Sequence, residues 1–184
     1  MDEFRRVAEV DAAALRWTRV SDASRSFELR AGDALIARLS FPHGTGSLAH
    51  STQADGAFTL KRGGFLAPHI SIRSDPAGPD LARLSVHHGT GILDIGTRAS
   101  YRLHRAGLLV PAWQLADSGG RPLADIEPVA EGRHLAGGLA TVSTLGRSSP
   151  DVLLALVAAW YFIVLAWFED EAVAASRAVL SALS

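Results

Sequence analysis

The sequence contains no cysteine, which excludes a disulfide scaffold, a zinc–thiolate site, an iron–sulfur cluster and a cysteine nucleophile. It also lacks an excess of either charge. Eighteen basic residues stand against nineteen acidic ones, for a formal net charge of -1. The broad basic field of a general nucleic-acid binder is therefore missing, and so is an acidic tail. Met1–Val20 carries Asp2, Glu3, Arg5, Arg6, Glu9 and Asp11 and has no apolar stretch. It reads neither as a signal peptide nor as an amino-terminal membrane anchor, so a cytoplasmic location is expected. Lysine is nearly missing too, Lys61 being the single example. Arginine in its place, with abundant alanine and glycine, points to a GC-rich bacterial genome rather than to nucleic acid as a partner.

What is present is a folding composition. A chain of 184 residues, 48% hydrophobic and 20% charged, is one globular domain or at most two small ones. Its most informative feature is an internal echo. Ala37-Arg38-Leu39-Ser40-Phe41-Pro42-His43-Gly44-Thr45-Gly46-Ser47-Leu48 returns as Ala82-Arg83-Leu84-Ser85-Val86-His87-His88-Gly89-Thr90-Gly91-Ile92-Leu93, with nine of twelve positions identical. A fainter third copy begins at Gly120-Arg121-Pro122-Leu123-Ala124-Asp125-Ile126, matching the segment from Gly78 to Leu84. The spacing is about 45 and then about 42 residues, within the range of known structural repeats.

Each copy alternates short apolar-polar segments with glycine-bearing turns, the pattern of antiparallel hairpins. The first gives strands over Ser26–Arg30, Ala34–Ser40, Ser47–Gln53 and Ala57–Arg62, with Asp55-Gly56 supplying a turn that needs positive backbone angles. The second gives His69–Ser74, Leu81–Val86, Gly91–Asp94 and Arg98–His104. The third gives Ala112–Asp117, Leu123–Glu127 and a pair within His134–Thr144. Three copies of four strands make about twelve strands. A propeller closes with at least four blades, so three copies point elsewhere. Closure into a barrel removes the exposed edges of a large antiparallel sheet. Side chains fill a barrel of roughly eight strands, and a wider one needs an occupant.

The occupant is supplied by the carboxyl end. Ser148-Ser149-Pro150-Asp151 combines a serine cap, a proline for the first helical position and an acid for the first turn. Val152–Phe168 then runs apolar on every face, as a helix does when it is fully enclosed by protein or by lipid. Seventeen residues make a helix of roughly 26 Å, at the lower limit for a bilayer span. Arg147 is the only basic residue flanking it, beside the acids Asp151, Glu169, Asp170 and Glu171, so the positive flank of a membrane anchor is thin. A central plug is the main expectation, and a membrane anchor formed by Val152–Phe168 is the alternative. Beyond it, 171–184 is read as a helical tail, either separate or continuous.

Phe27-Glu28-Leu29-Arg30-Ala31-Gly32-Asp33, Gly46-Ser47-Leu48-Ala49 and Asp55-Gly56-Ala57-Phe58-Thr59-Leu60-Lys61-Arg62, followed by the apolar terminal helix, resemble the tubby carboxyl-terminal-like superfamily. The branch they resemble is that of the LURP-one-related and phospholipid-scramblase-like proteins, over Leu15 to Phe168. The resemblance implies a twelve-stranded barrel around a hydrophobic carboxyl-terminal helix. It also implies contact with phosphoinositide headgroups, as in eukaryotic tubby domains, although small relatives have no established activity.

No pattern in the chain carries an enzymatic constellation. The repeated His-Gly-Thr-Gly motifs at 43–46 and 88–91 complete neither GxGxxG nor GxxxxGK[ST], and are read as a duplicated turn needing positive backbone angles. His43, His87 and His88 do not form a zinc spacing, and adjacent strand residues face opposite ways. Ser100, Ser118 and Ser143 lack a nucleophile elbow, and Asp94, Asp117, Asp125 and Glu127 are read as solvated surface. The least ordinary group is Lys61 and Arg62 with Arg73 on the next strand. It is a candidate phosphate or lipid-headgroup site, or else a charged face that keeps a strand soluble.

The sequence thus predicts a single, mainly β domain, α+β by content. Its parts are an extension over 1–14, a closed antiparallel barrel over 15–147, a central helix over 149–170 and a tail over 171–184. The expected role is non-enzymatic binding or scaffolding without metal or cofactor, the partner being an anionic membrane lipid or another protein.

Overall fold

In a computed structural model of the chain, the described residues are 4–10, 14–21, 25–42, 46–65, 67–87, 90–106 and 112–182. Twelve strands follow in order: β1 (Ala14–Arg19), β2 (Ser26–Ala31), β3 (Ala34–Ser40), β4 (Ala49–Gln53), β5 (Gly56–Gly63), β6 (His69–Arg73), β7 (Ala82–His87), β8 (Thr90–Ile95), β9 (Ala99–Ala106), β10 (Ala112–Asp117), β11 (Pro122–Glu131) and β12 (His134–Val142). Each is antiparallel to the next, and β1 closes the ring against β12 with Trp17 opposite Gly138. Two helices end the chain, α1 (Thr144–Ser148) and α2 (Val152–Ala182).

The period-2 pattern decides which side chains enter the barrel. Leu15 and Trp17, Phe27 and Leu29, Ile70 and Ile72, and Tyr101 and Leu103 are buried, while their neighbours in sequence face outward or are only partly covered. The side chains of twelve strands do not fill such a ring, and α2 completes it. Every residue of Val152–Tyr161 is buried, as are Ile163, Val164 and Leu165. Trp160 stacks on Trp17 with ring centroids 5.3 Å apart and meets Phe27 edge-on at 5.6 Å, while Tyr161 stacks on Phe41 at 5.5 Å. One face of the ring must be thin to admit the indole. At Gly138 a Cβ would lie 2.6 Å from the Trp160 ring and 2.9 Å from the Glu127 carbonyl oxygen.

The sequence echo marks thirds of the ring. Ala37–Ser40 lies in β3 and Ala82–Ser85 in β7, and the third copy enters β11, so the echoes fall four strands apart. Twelve strands are present, but two assignments differ from expectation. β1 was not among the expected strands, and the pair expected within His134–Thr144 is the single strand β12. The second His-Gly-Thr-Gly motif falls at the β7–β8 connection, where His87 stands opposite Thr90, but its second half is strand. Thr90 and Gly91 belong to β8, and Gly91 does not adopt a positive φ. Its lack of a side chain serves packing, since a Cβ would sit 2.8 Å from Leu84 Cδ1. His43, Gly44, Thr45, His88 and Gly89 lie outside the described residues. The Asp55-Gly56 turn is found as expected, with Gly56 at φ 130°.

Two further details bear on the ends of the barrel. A short 3₁₀ turn, Val7–Glu9, packs onto the barrel through buried Val7, and the Arg5 N–H donates to the Leu35 carbonyl at 2.9 Å. Ser143 caps α1 by accepting from the Gly146 N–H at 3.0 Å. α2 begins at Val152, and the expected tail is its uninterrupted continuation to Ala182.

Candidate functional site

The β5–β6 hairpin carries all three basic residues singled out from the sequence, and its register separates them. Thr59 is opposite Arg73, Lys61 opposite Ser71, and Arg62 opposite Ile70. Phe58 and Leu60 point into the barrel, so Arg62 shares their inward parity while Lys61 and Arg73 share the outer wall. All three line a groove of about 410 Å³ together with His50, Thr59, His69 and Ser71.

The charges in this groove are unequally committed. Arg73 Nε donates to Asp80 Oδ1 at 2.7 Å, and Ser71 Oγ donates to the other carboxylate oxygen at 2.9 Å. The hydrogen bond from Arg73 holds the Asp80 carboxyl below its ordinary range, so the pair is ionised at neutral pH. Lys61 is exposed, and its ammonium has no hydrogen bond or ion pair among the described residues. It is therefore the available cation of the outer groove. The loop that follows β5 adds an apolar element, Phe65, which is 97% exposed.

Arg62 belongs instead to the mouth through which α2 leaves the barrel. Its guanidinium pairs with Glu169, and its N–H donates at 3.0 Å to Tyr161 Oη, whose own hydrogen is donated to the Ser47 carbonyl. Burial pushes the Tyr161 hydroxyl up to about 12, so it remains a donor throughout the neutral range. Around the same mouth the Arg25 guanidinium lies 3.8 Å over the Phe168 ring, Trp167 Nε1 donates to the Arg133 carbonyl at 3.0 Å, and His134 Nδ1 approaches Glu171 Oε1 at 3.4 Å. These contacts make a collar that fixes where the helix emerges.

The structure thus brings Lys61 and Arg73 to one outer face and assigns the Arg62 guanidinium to a structural contact. Adjacent numbering hid that division, although the inward parity of Phe58, Leu60 and Arg62 was a usable signal. Sequence reasoning did not single out Asp80, Phe65 or His69. Among the previously considered polar residues, Ser143 is a helix cap, and Asp117 accepts from the Arg121 backbone and side chain across a turn. Asp125 accepts from Gln114 Nε2 at 2.9 Å.

No family model matches the chain, and neither a curated protein nor a solved structure matches it.

Proposed function

We propose that this protein is a non-enzymatic, tubby-like binding module that contacts anionic phospholipid headgroups at the cytoplasmic membrane surface. The observation that carries this reading is the uncommitted Lys61 ammonium beside Arg73 in a groove of about 410 Å³. Lysine is a point charge with three donors suited to phosphate oxygens, and Arg73, whose Nε is held by Asp80, adds the remaining donors of its fork. Exposed Phe65, on the loop of the same hairpin, supplies an apolar group for the interface between headgroups and acyl chains. The alternative, an anchor formed by Val152–Phe168, has less support. The apolar helix segment Val152–Val173 is long enough to cross a bilayer, but 72% of its most apolar window is buried within the protein.

Flotation with vesicles of phosphatidylcholine alone, or with phosphatidylserine added, tests the reading. The protein is expected to float only with the anionic vesicles and to lose that association at moderate salt, because surface attraction decays over roughly 10 Å at 0.1 M salt. Lys61→Ala with Arg73→Ala is expected to reduce bound protein at least fivefold at low salt, at roughly 1 kcal/mol per basic residue. Unchanged flotation of that double variant refutes the site, and absence of flotation from the monodisperse parent refutes the lipid reading.

A further inference from the structure

We propose a second binding site, at the end of the barrel where α2 begins, for a small anion that also carries a hydroxyl group. It is independent of the lipid reading and lies at the opposite end of the helix from the collar. A cavity of about 620 Å³ opens there, between the barrel wall, the Val7 turn and the first turn of α2. That volume falls within the range of small-molecule sites.

The barrel wall contributes an unexplained polar group. Gln53 occupies the inward parity of β4 after Ala49 and Ser51, is only 5% exposed, and lines the cavity. Its Oε1 has no hydrogen-bond partner. An unpaired carbonyl oxygen in such a place is unfavourable, and an apolar residue would avoid the cost. This oxygen is itself enclosed in the wall, so the amide has to turn toward the cavity to receive the hydroxyl or water it lacks.

The helix contributes donors. The Val152 N–H reaches the Ser149 carbonyl at 3.3 Å and the Ala155 N–H reaches the Asp151 carbonyl at 3.0 Å. The intervening Leu153 and Leu154 N–H groups make no hydrogen bond among the described residues, and both residues line the cavity. Asp151 is placed to cap them, but its carboxylate is turned to Arg98 at 3.4 Å. Free amides at the positive end of a long helix favour an anion.

Charge at the rim agrees. Arg6 is matched by Asp55 at 3.2 Å and Arg98 by Asp151. Arg147, half-buried at the end of α1, has no side-chain partner among the described residues. The lining therefore carries three guanidinium groups against two carboxylates, one net positive charge. In the proposed complex the anionic head of the ligand takes the Leu153 and Leu154 amides with Arg147, and its hydroxyl donates to Gln53 Oε1.

Calorimetric titration of the full chain tests this with lactate against propionate, and glycerol 3-phosphate against n-propyl phosphate, each control lacking only the carbon-bound hydroxyl groups. At least one hydroxyl-bearing probe is expected to bind, and at least tenfold more tightly than its hydroxyl-free counterpart. Preference between lactate and glycerol 3-phosphate assigns the head as carboxylate or phosphate. Gln53→Leu is expected to abolish the tenfold preference while raising the melting temperature of the ligand-free protein. Arg147→Ala, at a half-buried side chain with no partner among the described residues, is expected to weaken both members of the preferred pair without changing melting. Lack of binding by all four probes at millimolar concentration overturns the proposal, as does an unchanged hydroxyl preference in Gln53→Leu. Because the lipid groove lies elsewhere, anionic-vesicle flotation is expected to persist in both variants.

Discussion

Gly138 illustrates how a single missing side chain shapes this molecule. The Trp160 indole and the Glu127 carbonyl leave no room for a Cβ there, and neither a buried ring nor a strand backbone yields readily. Gly138→Ala is expected to destabilise the fold by about 1–3 kcal/mol, read from the midpoint of denaturant unfolding with an unchanged m-value. Tyr161 makes a second prediction. Tyr161→Phe keeps the stack on Phe41 but leaves the Ser47 carbonyl and the Arg62 N–H without their partner, a cost of about 1–2 kcal/mol. Its pH dependence has a definite sign. A hydroxyl raised from an ordinary value near 10 to about 12 by burial stabilises the fold fully below pH 10, and that contribution is lost as pH rises towards 12. The stability gap between parent and Tyr161→Phe is expected to be constant to about pH 10 and to narrow above it. The same residues show what was legible in sequence. Gly137-Gly138 in the middle of β12 resembles a turn, and only the approach of the Trp17 carbonyl and the Trp160 ring explains two glycines in a strand. Lys61, Arg62 and Arg73 were singled out as one basic group, because basic residues on neighbouring strands of a hairpin are visible in one dimension. Gln53 was not, because a polar residue at inward parity has meaning only once the barrel wall is known.

At the scale of elements, the question is what retains α2. The collar is conspicuous, but its Arg62–Glu169 pair is 40% and 58% exposed, and such pairs contribute about 0–1 kcal/mol. The buried rings and aliphatic side chains decide the matter. Trp160→Ala removes a fully buried indole and is expected to cost about 3–5 kcal/mol, whereas Glu169→Gln is expected to cost less than about 1 kcal/mol. Equal effects in thermal unfolding contradict this ordering. Ending the chain at Ser149 empties the barrel and exposes its apolar lining, and is expected to give an aggregating protein without a cooperative transition. A monodisperse truncated protein with an unchanged melting transition is the opposing result. α2 was the most legible element, since an apolar run on all faces has few possible surroundings. β1 was the least, with only Leu15 and Trp17 fully buried along six residues in a segment whose arginines dominate its appearance.

For the whole molecule, three sequence echoes, twelve strands and one apolar helix are parts of a single solution. The echoes fall on β3, β7 and β11, closure joins β1 to β12, and the wide ring is completed by α2. The apolar run ends at Phe168, where the helix passes the collar and exposed Glu169 and Asp170 begin. Its length is therefore matched to the barrel it fills. The two proposed binding surfaces lie on that arrangement: an outer groove on β5 and β6, and a cavity where the helix starts. The number of strands was readable from the repeat, but the mouth, the collar and the cavity arise from residues far apart in sequence. The central claim is that Val152–Leu165 is the core of the barrel, and native-state hydrogen exchange tests it most directly. Amides from Leu156 to Val164 are expected to exchange only through global unfolding, with the same free energy as the best-protected strands. Exchange of that segment through a separate, lower-energy opening while the strands stay protected contradicts the account.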